Sequence, residues 1–175
     1  MNTTPDSDKP TRDTRHATPD TLPPSPGHYR RILFCTDFSE NAEHAFRFAV
    51  DAAHRRPGCI LHLLHVIPEP EAQFWKTYIY EVDGIDEKAK RDIDAKIDAD
   101  YRPLVPEGVD FRVEIRVGRD YIRILEFAEQ QDVDLIVLGR HGHTAFGKWL
   151  FGNVTEKVAR HAPCPVMIVP LERGG

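Results

Sequence analysis

The stretch "LGRHGHTAFGKWLFGN" (138–153) carries glycines at 139, 142, 147 and 152. An apolar run ends at Leu138, and a helical pattern begins near Asn153. Each glycine costs conformational entropy, so this density between a strand and a helix implies a backbone that something must approach closely. Bare N–H groups at Gly139, Gly142 and Gly152, followed by the positive end of a helix, form an anion site of the kind that holds phosphate. Thr155, in the first helical turn, brings a hydroxyl within reach of the same anion. Asn153 either caps the helix or contacts the ligand. The alternative is a loop that is merely flexible.

Other residues with chemical potential are weaker signals. "GHTAFGKW" (142–149) opens like a P-loop, GxxxxGK. Trp149, however, stands where Ser or Thr would hold Mg²⁺, and the later strand "CPVMIVP" has no Asp for the metal. Lys148 therefore reads as a local positive charge near the loop or as a solvated side chain. Asp37, just after the first strand, has three readings: an acceptor for a base or ribose, a metal ligand, or a helix N-cap shared in prospect with Ser39. His62 and His65 lie three apart on a strand and point to opposite faces, so they cannot chelate together. His141 and His143 lack evident further ligands for zinc. No GxSxG elbow and no paired acid and base appear, so the chain offers a binding crevice without a catalytic constellation. The aromatic run "FWKTYIY" (74–80) is either core packing under a long connection or a lid or partner surface.

The elements that must position these residues follow from hydrophobic periodicity. "RILFCT" (31–36) is a short apolar strand, and 39–55 a helix with Ala42, Ala45, Phe46, Ala49, Val50 and Ala53 on one face. "CILHLLHVI" (59–67) is an internal strand, and Ile85, Ala89, Ile93 and Ile97 mark a helix over 86–101. "VDFRVEIRV" (109–117) alternates strictly, with Asp110, Arg112, Glu114 and Arg116 on a wet face, as an edge strand does. A helix over 120–131, a central strand "DLIVL" (134–138), a helix over 153–161 and a final strand "CPVMIVP" complete the pattern. Strands separated by helices imply right-handed crossovers and a parallel sheet. The expectation is one Rossmann-like α/β domain with a five-stranded parallel sheet in the order 3-2-1-4-5 and helices on both faces. The ligand crevice then lies at the carboxyl ends of strands one and four, where "TDFSE" and the glycine loop meet.

Composition bounds the function. The 175 residues, with 41% hydrophobic and 29% charged, suit a single domain with a proper core. A net charge of -5 argues against a nucleic-acid partner. No apolar run approaches the ~20 residues of a membrane span, and no signal segment opens the chain. Cys35, Cys59 and Cys164 are far apart and read as reduced thiols, which with the rest implies a cytoplasmic location. Residues 1–28 are rich in Pro, Thr and Asp and read as a disordered tail, leaving 29–171 as the domain.

With these motifs in hand, the chain resembles the nucleotide-binding type of universal stress protein. That family's signature is G-x-x-G, nine residues, then G-[S/T]. Here Gly139-Arg140-His141-Gly142 is followed by nine residues and then Gly152-Asn153, a departure only in Asn for Ser or Thr. "ILFCTDFSENAEHAF", "LHVIPEP" and "VTEKVARHAPCPVMIV" extend the resemblance over roughly 30 to 170. It implies an adenine pocket formed by Thr36, Asp37 and the backbone at Val66. It implies phosphate and ribose contacts from Gly139, Arg140, His141 and Gly142 and from Gly152, Asn153, Val154 and Thr155. The ligand so implied is ATP or another adenine nucleotide, with Mg²⁺ held through the phosphates and Asp37 the one candidate side chain for it. The implied role is a stress-response sensor or adaptor. The alternatives are a dimeric interaction scaffold without a nucleotide and a slow ATPase. The resemblance further implies a homodimer through the last strand, Pro165 to Val169. The related nucleotidyltransferases and PP-loop ATPases carry HxGH-type and SGGxD-like motifs in the first strand–helix loop, and "TDFSENAEHAF" contains neither.

Overall fold

The central strand β1 (Arg31–Thr36) is followed by α1 (Glu40–His54), β2 (Ile60–Pro68) and α2 (Glu87–Asp100), which ends in a 3₁₀ turn over Arg102–Leu104. Then come β3 (Asp110–Gly118), α3 (Asp120–Gln130), β4 (Leu135–Gly139), α4 (Asn153–His161) and β5 (Val166–Val169). The structure is a computed structural model that describes residues 28–68, 87–140 and 152–171. Residues 1–27 of the expected tail, the aromatic run 74–80, and His141 and Gly142 of the loop lie outside the described residues. The five strands form one parallel sheet in the order β3-β2-β1-β4-β5, the topology read from the sequence.

Alternation along the strands divides the interior in two. Ile32, Phe34, Leu61, Leu63, Leu135 and Val137 face α1 and α2, where they pack with Phe46, Ile97 and Tyr101. Leu33, Cys35, Leu64, Val66, Ile136 and Leu138 face α3 and α4, against Ile124, Phe127, Ala128 and Val158. On α1 the inward stripe is mostly alanine (Ala42, Ala45, Ala49, Ala52, Ala53), small enough to let the helix axis come close to the sheet. The β1–β4 pairing is fastened at its start by Asp134. Its carboxylate accepts the main-chain N–H groups of Arg30 and Arg31 at 2.7 and 3.1 Å.

β3 is the edge that the alternation implied, and its charges pair along the strand, Arg112 with Asp110 at 2.6 Å and Arg116 with Glu114 at 3.3 Å. Arg116, however, is not on a wet face: its guanidinium covers the Phe127 ring of α3. β5 forms the other edge. The three cysteines are free thiols. Among the described residues, no helix is long and apolar enough to cross a membrane.

His62 is the exception inside this core. It is 4% exposed, its ring meets Phe127 edge-on at 5.2 Å, and its Nε2 has no hydrogen-bond partner. Burial, then the Arg112 guanidinium, holds the imidazole pKa below its ordinary value. Because the unfolded chain binds the proton more readily, stability rises with pH through this window. It is fully present above about pH 6.5, the ordinary histidine value, and falls as pH drops below it. Denaturant unfolding between pH 5 and pH 8 should show a loss of stability on the acid side that shrinks in His62→Leu. An unchanged acid limb in that variant would assign the loss to other groups.

Candidate functional site

β1 ends at Thr36 because the chain turns there on side-chain hydrogen bonds. The Thr36 hydroxyl accepts the N–H of Phe38 at 2.9 Å, and one Asp37 carboxylate oxygen accepts the N–H of Ser39 at 3.0 Å. Phe38 takes a left-handed φ of 61°, uncommon for a residue with a Cβ. Ser39, rather than Asp37, is the cap of α1, accepting the N–H of Ala42 at 3.3 Å. A second hydrogen bond at 2.6 Å joins the Thr36 hydroxyl to that of Tyr101, which is fully buried beneath α1. Burial pushes the Tyr101 phenol up to about 12, so it stays a neutral partner. The Thr36 carbonyl accepts from His65 Nδ1 at 2.9 Å, and the His65 ring lies 4.5 Å from that of Phe38.

This early stop opens a cleft. The β1–β2 register ends at Thr36↔His65, whereas β2 continues beside β3 as far as Pro68↔Gly118. Ile60 donates its N–H to Arg30 on the β1 side, and the period of two puts the Val66 main chain on that side as well. The last bridge of that register uses the Val66 N–H, and from the Val66 carbonyl onward no strand among the described residues lies beside this flank of β2. The resulting cleft, about 280 Å³, runs from Leu64, His65, Val66 and Pro68, past Cys35, Thr36 and Asp37, to Leu138, Gly139, Val154 and Thr155. Burial raises the Cys35 thiol pKa well above its ordinary value, so it contributes an apolar floor.

Of the residues singled out in the sequence, Thr36, Asp37, Val66, Gly139, Val154 and Thr155 meet in this one cleft. Gly152 occupies the cap of α4, so Asn153 is the first helical residue and is exposed. Of the two roles open to Asn153, helix cap is therefore excluded. The first intrahelical bond runs from Glu156 N–H to the Gly152 carbonyl at 2.9 Å, leaving the N–H groups of 153–155 ahead of it. Thr155 is 4% exposed and borders the cleft from this turn. Arg140 donates its main-chain N–H to Val169 at 2.8 Å and closes the β4–β5 pairing.

The reason for Gly139 differs from the one its motif suggests. A Cβ there would stand 2.6 Å from the carbonyl oxygen of Asn41 and 2.9 Å from the nitrogen of Ala42. The glycine is bare because the first turn of α1 lies against it.

Three participants were missed by sequence reasoning. His65 and Tyr101 hold the end of β1 from 29 and 65 residues away. Asp120, at the start of α3, borders the cleft beside Ile124. Its Oδ1 is buried without a hydrogen-bond partner, and burial lifts its carboxyl pKa above the usual range. A sequence signal for Asp120 exists only in hindsight, as an acid in the first turn of a helix that leaves a strand's carboxyl end.

Comparison with known proteins agrees with this fold. The model described as "Universal stress protein family" matches residues 28–170. A universal stress protein of Methanocaldococcus jannaschii is 32% identical over 154 residues, covering 81% of this chain and 94% of its own. Its solved structure superposes with a TM-score of 0.66 over 84% of this chain and 99% of that one. A universal stress protein solved in complex with cAMP has a TM-score of 0.58 at 21% identity, covering 81% and 97% of the two chains. A family member from Arabidopsis thaliana, solved with AMP bound, has a TM-score of 0.50 at 16% identity over 81% and 91%.

Gly139→Ala should therefore test packing before it tests binding. A methyl group against the α1 backbone forces the helix away from β4, at an expected cost of about 1–3 kcal/mol in denaturant unfolding. Stability equal to wild type would show that α1 yields without strain.

Proposed function

The chain belongs to the universal stress protein family, and on that premise we propose that it binds an adenine nucleotide, ATP with Mg²⁺, as a stress-response sensor or adaptor. The observation that carries this reading is the single cleft in which Thr36, Asp37, Val66, Gly139, Val154 and Thr155 converge. The cleft has two walls of different character. On the β4–α4 side, beside Gly139, the first turn of α4 offers main-chain N–H groups, the Thr155 hydroxyl and the positive end of the helix, which suit phosphate. On the β2–α3 side, Leu64, Val66 and Ile124 offer apolar surface, and the carbonyl of Val66 offers a hydrogen-bond acceptor to the edge of a flat base. Asp37 lies between them. Its charge repels phosphate, which reinforces this orientation, and leaves it to the base, the ribose or a phosphate-bound Mg²⁺. The glycine signature assigns Arg140, His141, Gly142 and Asn153 to the phosphate as well. The relatives solved with cAMP and AMP support an adenine ligand.

Calorimetric titration with Mg-ATP tests the reading. Wild type should bind, and Thr155→Val, which keeps the shape but loses the hydroxyl, should bind roughly tenfold to a hundredfold more weakly if that hydroxyl makes a charge-assisted bond to phosphate. No binding by wild type at millimolar ATP would leave the scaffold reading in its place.

The same reading includes a homodimer through Pro165 to Val169. β5 is a sheet edge whose Met167 and Ile168 are only half-buried, and such an edge favours pairing with a copy of itself. Light scattering at micromolar concentration should give a dimeric mass for wild type and a monomeric mass for Ile168→Asp. A monomeric wild type would refute this assembly.

A further inference from the structure

His65 is half-buried on β2 and borders the cleft beside Val66. Its one hydrogen bond fixes its chemistry. A main-chain carbonyl can only accept, so the 2.9 Å bond to the Thr36 oxygen puts a hydrogen on Nδ1. The neutral ring then carries its free lone pair on Nε2. That bond, with the Phe38 ring at 4.5 Å, holds the imidazole in one orientation. Among the described residues Nε2 has no hydrogen-bond partner, yet it is not enclosed, as the Nε2 atoms of His44 and His62 are. The ring is also near enough to act electrostatically on the carboxyl of Asp120, another border of the cleft. Its neighbours there share its polarity, since the Val66 carbonyl and the Asp37 carboxylate are acceptors too. Three acceptors at one end of a cleft disfavour phosphate, and a ligand that fills that end must bring N–H or O–H donors.

We propose that His65 is a ligand-binding residue whose Nε2 accepts a hydrogen bond from a donor of the bound nucleotide, the exocyclic amine of the base or a ribose hydroxyl. The inference rests on the adenine-nucleotide reading and deepens it. The two ring nitrogens then have separate duties: Nδ1 holds the end of β1, and Nε2 reads the ligand. A ligand without the matching donor takes water from Nε2 and returns nothing, so the contact selects as well as binds.

The two duties can be separated by substitution. In His65→Asn the amide N–H can still reach the Thr36 carbonyl, and no acceptor stands where Nε2 was. Calorimetric titrations on the full chain compare Mg-ATP with its 2′-deoxy and 3′-deoxy analogues and with purine riboside triphosphate, which lacks the amine. Wild type should bind one of these analogues roughly fivefold to tenfold more weakly than ATP, the worth of one hydrogen bond between neutral groups. That analogue identifies the donor. His65→Asn should lose about the same factor with ATP and nothing further with that analogue. A residue that only supported the fold would weaken all four nucleotides in step, so a folded His65→Asn with wild-type ratios for every analogue overturns the proposal. So does a wild type that binds all four equally. Should circular dichroism show His65→Asn to be unfolded, His65→Gln and His65→Leu decide. The Gln amide oxygen can stand in for Nε2, so this variant must keep the discrimination that His65→Leu loses, and equal behaviour of the two overturns the proposal. Thr155→Val separates the two readings: if it weakens ATP while substitution of His65 leaves every ratio unchanged, the nucleotide site stands and the role of His65 falls. A wild type that binds none of the four removes both.

Discussion

β1 stops before its neighbour β2 does, and the site exists because of that difference. A strand that ran on past Thr36 would pair with Val66 and fill the cleft with backbone. What ends it is local: the Thr36 hydroxyl takes the Phe38 N–H at 2.9 Å, and Phe38 accepts a left-handed φ of 61°. What keeps it ended is remote: the buried hydroxyl of Tyr101 and the ring of His65 bind the two oxygens of the same threonine. Thr36 is thus fully committed to the fold, with its side chain and its carbonyl both answered inside the protein. A ligand in the cleft meets a terminus already set in place, which reduces the ordering cost of binding.

Gly139 shows how a residue can be required twice. It borders the cleft, as the glycine signature implies, yet the contact that forbids a side chain comes from Asn41 and Ala42 of α1. Bringing α1 that near β4 places the β1–α1 turn, with Asp37, beside the start of the glycine loop. The alanine stripe on α1 serves the same end. Close packing on the α1 face and the position of a cleft carboxylate are therefore one constraint.

Most of the architecture could be read from the chain because it depends on period. The strict alternation from Val109 to Val117 identified β3 as an edge, and the unbroken apolar run before Gly139 identified β4 as interior. The five parallel strands stand in the order those patterns imply. The glycine spacing located one wall of the cleft for the same reason: its information is local. The other wall was only partly visible. Asp120 looks like any acid that begins a helix, and nothing near it in sequence shows that one oxygen goes unanswered. The Thr36–Tyr101 bond spans 65 residues and leaves no trace in either local pattern. Side-chain roles decided by what arrives from elsewhere in the fold are the part that period and motif do not encode.

The two edges of the sheet are chemically unequal. Along β3, Asp110, Arg112, Glu114 and Arg116 neutralise each other in pairs and present charge beside the outer backbone, a surface that resists further strands. β5 is four residues long and carries only Val, Met and Ile. Under the proposed pairing, a sheet with one guarded margin has a single valence: two copies joined through β5 use the same patch on both sides and leave none free, so that assembly is a closed pair and not a filament.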